Sequence, residues 1–292
     1  MIVVTTPTGH IGSQVVQNLL DANEQVRVIA RDPAKLAPEV RAKVEVVQGS
    51  TDDEQVLLRA LKGAESLFWL VPPDFSANEA RGYYLRFTRP AARAIKSQGV
   101  QRVVSVSALG HGWPKDPGLV AGAWASDAEI ESTGVDFRAL ACPGFMENAL
   151  FQLEPLKNTG MFFSAEPGDV KMPRAATRDI AATGARLLLD RSWTGQGHVA
   201  VLGPENLSND DMAAIMAEVL GKPIRYQQIP AEAFKANFVQ RGSNPVFAQD
   251  YLNMMMAKGE GMDNVEPRTP ENTTPTSFRQ WCEEVLKPAM LG

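Results

Sequence analysis

The opening dozen residues constrain the fold more than any other part of the chain. Ile2-Val3-Val4-Thr5 is a short, β-branched apolar run. Thr6-Pro7-Thr8-Gly9-His10-Ile11-Gly12 follows, and Ile11, Val15, Val16, Leu19 and Leu20 then recur at helical spacing. That order predicts a strand, a tight turn and a helix. Such a turn aims backbone N–H groups and the positive end of a helix at an anion, usually a phosphate. Glycines let the backbone approach the phosphate and let the helix pack on the strand. Thr6 and Pro7 occupy the start of the loop, where the glycine fingerprint has its first glycine. A β-branched residue tolerates positive φ poorly, and its side chain would crowd a pyrophosphate.

The alternation continues. Strands are predicted at Ile2–Thr5, Val26–Ala30, Val44–Gln48, Ser66–Val71, Arg102–Val106 and Asp136–Ala141, with helices at Gly9–Asp21, Asp53–Lys62, Asn78–Ser97 and Ala121–Ser132. Strands separated by helices imply an α/β fold: a doubly wound, mostly parallel Rossmann sheet covered on both faces. Gly99 and Gly134 stand where left-handed caps would end helices. Beyond Pro143-Gly144 the pattern loosens. Helices are expected at Ala175–Leu189, at Ser208–Leu220 with Ser208 as N-cap, and at Ala231–Gln240, Pro245–Lys258 and Pro275–Leu286. Strands are expected at Val199–Leu202 and Ile224–Ile229, and Gly259–Thr274 reads as a surface loop. The expected division is a nucleotide-binding domain over 1–150, to which elements of about 170–205 return. A smaller mixed α/β C-terminal substrate lobe is expected over 151–292.

Composition narrows the function classes. The 292 residues carry a net charge of −5, which argues against a broad basic face for nucleic acid. No apolar run approaches the ~18 residues of a membrane span, and no charged segment precedes the first strand, so neither a membrane anchor nor a signal peptide is expected. Two cysteines, Cys142 and Cys282, make no disulfide framework. A reducing cytoplasm is the expected compartment. The histidines are His10, His111 and His198, with no metal-ligand spacing among them, so no metal site is expected. No Gly-x-Ser-x-Gly elbow of a hydrolase occurs.

Candidate site residues follow the strand ends, where ligands of such sheets lie. The loop residues Thr6, Thr8, Gly9, His10 and Ile11 are candidate phosphate contacts. Arg31 stands directly after the second strand and Lys35 one turn later. A guanidinium there can stack on adenine or fork onto the extra phosphate of NADP, whereas Asp32 could instead bind the ribose of NAD. The basic pair favours NADP(H), with NAD(H) as the alternative. Ser50 is a candidate on the adenine side, although it could equally belong to the cap of the next helix. The backbone of Val71 and Pro72 would run beside the ribose. Ser105 and Ser107 lie on the fifth strand. Ser105 is a cofactor candidate, Ser107 would emerge near the nicotinamide as a hydrogen-bond donor, and His111 in the following loop is a second candidate donor. Aromatic and methionine residues gather around the second lobe, and Trp124, Met146, Phe247 and Tyr251 are the candidate lining of an apolar substrate pocket.

Taken together, Val4-Thr5-Thr6-Pro7-Thr8-Gly9-His10-Ile11-Gly12, Arg31-Asp32-Pro33, Gln48-Gly49-Ser50 and Val104-Ser105-Val106-Ser107 resemble the NmrA-like branch of the atypical short-chain dehydrogenases/reductases. So do Glu129 through Asp136, Pro143-Gly144-Phe145-Met146-Glu147-Asn148, Arg178-Asp179-Ile180-Ala181 and Leu202 through Ser208. The resemblance implies a dinucleotide-binding sheet with a small C-terminal lobe. It also implies either NAD(P)H-dependent reduction of quinones, dyes or aromatic compounds, or a non-catalytic NADP-sensing regulator. By position it implies that Thr8, Gly9, His10 and Ile11 touch the pyrophosphate and Arg31 the adenosine phosphate. Val71 and Pro72 would line the ribose, with Pro143 and Phe145 near the nicotinamide. The Tyr-x-x-x-Lys pair of typical members of the wider superfamily is missing, which also argues against a nucleotide-sugar epimerase. The expected activity is hydride transfer to a small apolar acceptor. A delocalised quinone or dye needs little help from a buried acid. A monomer or homodimer is expected, with no nucleic-acid or membrane partner.

Overall fold

The computed structural model describes residues 1–291. Seven strands form one parallel sheet: β1 (Ile2–Val4), β2 (Val26–Ala30), β3 (Glu45–Gln48), β4 (Ser66–Trp69), β5 (Arg102–Ala108), β6 (Asp136–Cys142) and, after three short strands, β10 (Gln196–Ala200). The short strands are β7 (Gly144–Phe145), β8 (Met161–Ser164) and β9 (Met172–Ala175). The remaining two are β11 (Asn206–Leu207) and β12 (Arg225–Gln228). The order in the large sheet is β10-β6-β5-β4-β1-β2-β3, so the winding reverses between β1 and β4. That reversal opens the crevice at the carboxyl ends of the strands where such sheets bind ligands.

The inner strands β1 and β4 read as largely apolar runs because both faces are covered. In β1, Ile2 and Val4 pack into one core with Val15, Val16, Leu19, Ile180 and Leu188, while Val3 packs into the other with Leu57, Leu61, Ile95, Val103 and Ile130. The first core is closed by α1 (His10–Asp21). The opposite face carries α3 (Glu54–Leu61), α4 (Ala80–Gln98) and α5 (Val120–Glu131), α2 (Pro38–Arg41) being a single turn before β3. Helix α4 ends at Gly99 with φ 67°, the left-handed cap read from the sequence. Beyond α6 (Leu153–Thr159), α7 (Thr177–Leu189) packs beside α1.

The C-terminal half contains α8 (Asn209–Leu220), α9 (Ala231–Gln240) and α10 (Pro245–Gly259). Ser208 caps α8: its hydroxyl accepts from Asp211 N–H at 3.0 Å, and the Asp211 carboxylate accepts from Ser208 N–H at 3.0 Å. Met146, Leu156, Phe162, Met216, Phe278, Trp281 and Leu286 form a separate core. The chain returns to the large sheet with β10, which pairs with β6 in the register Gln196↔Phe137. Its strand residues are Gln196–Ala200 rather than the predicted Val199–Leu202, because Leu202 instead forms a bridge to Thr273. The helix predicted over Pro275–Leu286 is a short α-turn at Phe278–Trp281 followed by a π-helical turn at Cys282–Leu286. Among the described residues, no helix is long and apolar enough to cross a membrane.

Candidate functional site

Two loops meet at the reversal point. The Thr5 hydroxyl accepts from Leu70 N–H at 3.0 Å and donates to the Phe68 carbonyl at 3.1 Å, tying the loop after β1 to the end of β4. Thr6 adopts φ 51°, the left-handed conformation that glycine usually supplies at this position. Its hydroxyl is buried and has no hydrogen-bond partner among the described residues. Gly9 N–H bonds to the Thr6 carbonyl at 3.0 Å. Gly9 is also the N-cap of α1, and no side chain caps that terminus. The first-turn N–H groups therefore remain available for an anion. Gly12 brings α1 against the loop, since a β-carbon there would lie 2.2 Å from the Thr6 carbonyl oxygen. Thr8 and His10 are exposed at the mouth of this loop, and Ile11 is buried beneath it.

Arg31 and Lys35 are exposed beyond β2, and neither makes an ion pair among the described residues. The Asp32 carboxylate accepts from Ala34 N–H at 3.0 Å, capping the 3-10 turn Pro33–Lys35. Its nearest role is thus in the turn. Ser50 is half-buried after β3, Val71 is buried after β4, and the exposed Pro72 accepts from the Tyr83 hydroxyl at 3.0 Å. These residues follow the carboxyl ends of β1 to β4, where such sheets bind ligands, and their chemistry fits a dinucleotide. A cradle that a β-carbon would fill, an uncapped helix terminus and an unpaired guanidinium beyond the second strand coincide.

Ser105 and Ser107 both point from β5 toward α5. Their hydroxyls donate to the two oxygens of Asp127, Ser105 at 2.8 Å. Asp127 is 4% exposed, and burial pushes its carboxyl up to about 7 against the lowering effect of the two hydroxyls. Sequence reasoning missed Asp127, whose partners lie two strand positions apart. Ser107 is buried in this triad and does not line the cavity described next. His111 is exposed at the tip of its loop, stacked between Trp124 at 4.9 Å and His198 at 5.6 Å between ring centroids. His198 in turn contacts the Glu266 carboxylate at 2.8 Å. The Trp124 indole N–H donates to the Ala108 carbonyl at 3.2 Å, so this ring is spent on holding the loop.

A cavity of about 520 Å³ separates the β7 segment from α9 and α10. Phe145, Phe162, Phe234, Phe238, Tyr251 and Met254 supply much of its wall, and Phe151 is exposed at its margin. Of the four predicted lining residues, Tyr251 lines the cavity. Trp124, Met146 and Phe247 do not. Met146 is committed to the C-terminal core, and Phe247 is fully buried against Ala80 and Leu119. Apolarity marks these side chains for burial without saying which wall they complete. Pro143 is buried just before Phe145, and Phe145 reaches the cavity.

The nucleotide loop and the cavity margin are linked by hydrogen bonds. Gln14 on α1 donates to the His10 carbonyl at 2.5 Å and to the Thr177 hydroxyl at 3.2 Å. That hydroxyl donates to Glu147 at 2.7 Å, and the second Glu147 oxygen accepts from Thr177 N–H at 3.0 Å. Glu147 lies two residues after Phe145, so these hydrogen bonds connect the first turn of α1 to the segment that carries the cavity's Phe145.

The NmrA-like family model matches residues 1–280. The chain belongs to the NmrA-like family. It is 28% identical over 291 residues to a (4-alkanoyl-5-oxo-2,5-dihydrofuran-3-yl)methyl phosphate reductase of Streptomyces griseus, covering 97% of each chain. It is also 28% identical over 262 residues to an NAD(P)H azoreductase of Xenophilus azovorans, covering 88% of this chain and 86% of that one. In structure it resembles the Escherichia coli NADPH-dependent quinone oxidoreductase QOR2, solved with NADPH. The TM-score is 0.82 at 24% identity, covering 98% of this chain and all of that one.

Proposed function

We propose that this member of the family is an NADPH-dependent reductase that passes hydride to a small, apolar, conjugated acceptor of the quinone, dye or aromatic carbonyl class. The observation that carries this reading is the hydrogen-bond chain from His10 through Gln14 and Thr177 to Glu147. It ties the α1 terminus, the diphosphate site of this reading, to the aromatic cavity, as direct transfer between two bound molecules requires. The similarity to reductases named for NAD(P)H, a dye class and a phosphorylated furanone supports it.

NADPH supplies the hydride when bound. Thr8, Gly9, His10 and Ile11 would hold its diphosphate through backbone N–H groups, Thr6 would shape the loop, and Arg31, assisted by Lys35, would take the adenosine phosphate. Asp32, already used as a turn cap, leaves that position to the guanidinium. Ser50 would contact the adenine side, Val71 and Pro72 the ribose, and Ser105 would support the strand end beneath the cofactor. Pro143 and Phe145 would bring the nicotinamide to the cavity, and Tyr251 would face the acceptor. Ser107 serves in this reading by locking β5 to α5 through Asp127, and His111 is the exposed group able to exchange protons with solvent near that strand end. The compartment assigned by this reading is the cytoplasm. The cavity favours the reductase over a sensor, which needs only the nucleotide site.

The experiment is steady-state loss of reduced-nicotinamide absorbance with NADPH across a panel of quinones, azo dyes and aromatic aldehydes. Turnover with at least one conjugated acceptor is expected. Absence of turnover with the whole panel, from protein that binds NADPH, would replace this reading with that of a sensor.

A further inference from the structure

The cavity lining is not only aromatic. Glu166, Arg174, Asn209 and Lys258 all line it, and each is more than nine-tenths buried. Their pairings are unequal. Lys258 donates to both oxygens of Asp263, at 2.7 and 2.5 Å, and is neutralised there. One Glu166 oxygen accepts from the Ser164 hydroxyl at 3.3 Å and from the Asn209 amide at 3.4 Å. Arg174 has no such partner among the described residues. Its closest carboxylate oxygen is that of Glu166 at 3.8 Å, too far for a hydrogen bond, and its Nε is buried and unpartnered.

A guanidinium carries five N–H donors and stays charged at any accessible pH. Buried with no acceptor within hydrogen-bond distance among the described residues, it is costly unless something else supplies one. Its placement is also specific. Arg174 lies on β9 in register with Gly144 of β7, between Pro143 and Phe145. A β-carbon on Gly144 would lie 2.4 Å from the Arg174 Nη1, so the glycine leaves the room that the guanidinium occupies. The cation therefore abuts the segment assigned above to the nicotinamide end of the cofactor.

We propose that Arg174 is the oxygen anchor of the cavity, hydrogen-bonding the acceptor oxygen on which negative charge collects, so that the site takes conjugated carbonyl acceptors, quinones above all, and rejects permanent cations. This deepens the reductase reading and rests on it. In the step concerned the acceptor gains one hydride, that is, a proton with two electrons, while NADPH is oxidised to NADP⁺. The π electrons of the conjugated system move onto the carbonyl oxygen, and a proton from water completes the hydroquinone or alcohol. A fixed guanidinium at that oxygen stabilises the charge as it develops, in a chain without the Tyr-x-x-x-Lys pair. Glu166 has one oxygen bonded to neutral donors and one buried oxygen without a partner among the described residues; standing off at 3.8 Å, it balances the charge without hydrogen-bonding the guanidinium.

The test uses binding without coenzyme. Three ligands of one shape are titrated by calorimetry in mildly alkaline buffer: 4-nitrophenolate, which mimics the charged oxygen, neutral 4-nitroanisole, and the (4-nitrophenyl)trimethylammonium cation. Wild-type protein is expected to bind the phenolate roughly 10- to 100-fold more tightly than the anisole, and the cation weakest. Arg174→Met is expected to erase that preference, and Arg174→Lys to restore part of it. A wild-type protein that binds all three alike, or the cation best, overturns the anchor even if Arg174→Met fails to fold. So does an Arg174→Met protein that melts as wild type and keeps the phenolate preference. An Arg174-dependent phenolate preference in a protein that oxidises no NADPH would retain the anchor and discard the reductase. Quinone turnover without any such preference would do the reverse.

Discussion

The α-carbon of Gly12 rests against the carbonyl of Thr6 so closely that a β-carbon would meet the oxygen at 2.2 Å. The obstacle is backbone, not a flexible side chain, so Gly12→Ala must push α1 away from the loop. The expected cost is about 1–3 kcal/mol of stability, as for other overpacked positions. NADPH affinity should fall at least tenfold because the helix terminus leaves its place. Denaturant unfolding and calorimetric titration of the variant check both. An alanine variant that binds NADPH like wild type would mean that the helix terminus does not hold the diphosphate.

Thr6 holds a left-handed backbone that costs an L-residue roughly 1–2 kcal/mol, and its hydroxyl is buried without a partner among the described residues. Glycine removes both penalties and loses about 0.5–1 kcal/mol to chain entropy. Thr6→Gly should therefore leave stability equal or higher, by up to about 1 kcal/mol, with NADPH binding retained. Chemical denaturation is the measurement, and a clearly destabilised variant would show that the threonine side chain supports the loop.

Arg31 is exposed and makes no ion pair among the described residues, while Asp32 is engaged with Ala34. Arg31→Ala should weaken NADPH binding roughly 10- to 100-fold, the worth of charge-assisted hydrogen bonds to a phosphate. NADH binding should change little. Competitive titrations of both coenzymes distinguish this from general damage, because equal losses would assign Arg31 to shape rather than to the extra phosphate.

Asp127 makes stability depend on pH. Its carboxyl is pushed from 3.8 up to about 7 by burial. Between those values the unfolded chain has released the proton and the folded chain still holds it. Its contribution to stability is therefore full below about pH 4, declines as pH rises toward 7, and is flat above. The total is at most about 4 kcal/mol. Asp127→Asn, which stays neutral and can still bond to Ser105 and Ser107, should flatten this slope and exceed wild type in stability at pH 8. Urea unfolding of both proteins across that pH range checks it. Parallel slopes would remove the carboxyl from the account.

The parts of the fold readable from sequence are those set by local pattern. β1, the Gly9 turn and α1 follow one another within two dozen residues. Arg31 stands at a fixed distance from them, and Gly99 and Ser208 mark helix ends by their own backbone chemistry. The strands β7, β9 and β11 were not readable, since each has two to four residues and exists by pairing with the others. The same holds for the site. Asp127 meets hydroxyls 20 and 22 residues upstream across a strand–helix interface. Glu166, Arg174, Asn209 and Lys258 come from separate segments that no spacing rule connects. Met146 and Phe247 carried a true signal of burial but no signal of which cavity they would border.

The most direct test of the central claim is calorimetric titration of the purified protein with NADPH and NADH under identical conditions. The account predicts one NADPH site per chain, with NADPH bound at least tenfold more tightly than NADH. Failure of both coenzymes to release or absorb heat or to raise the melting temperature would contradict it.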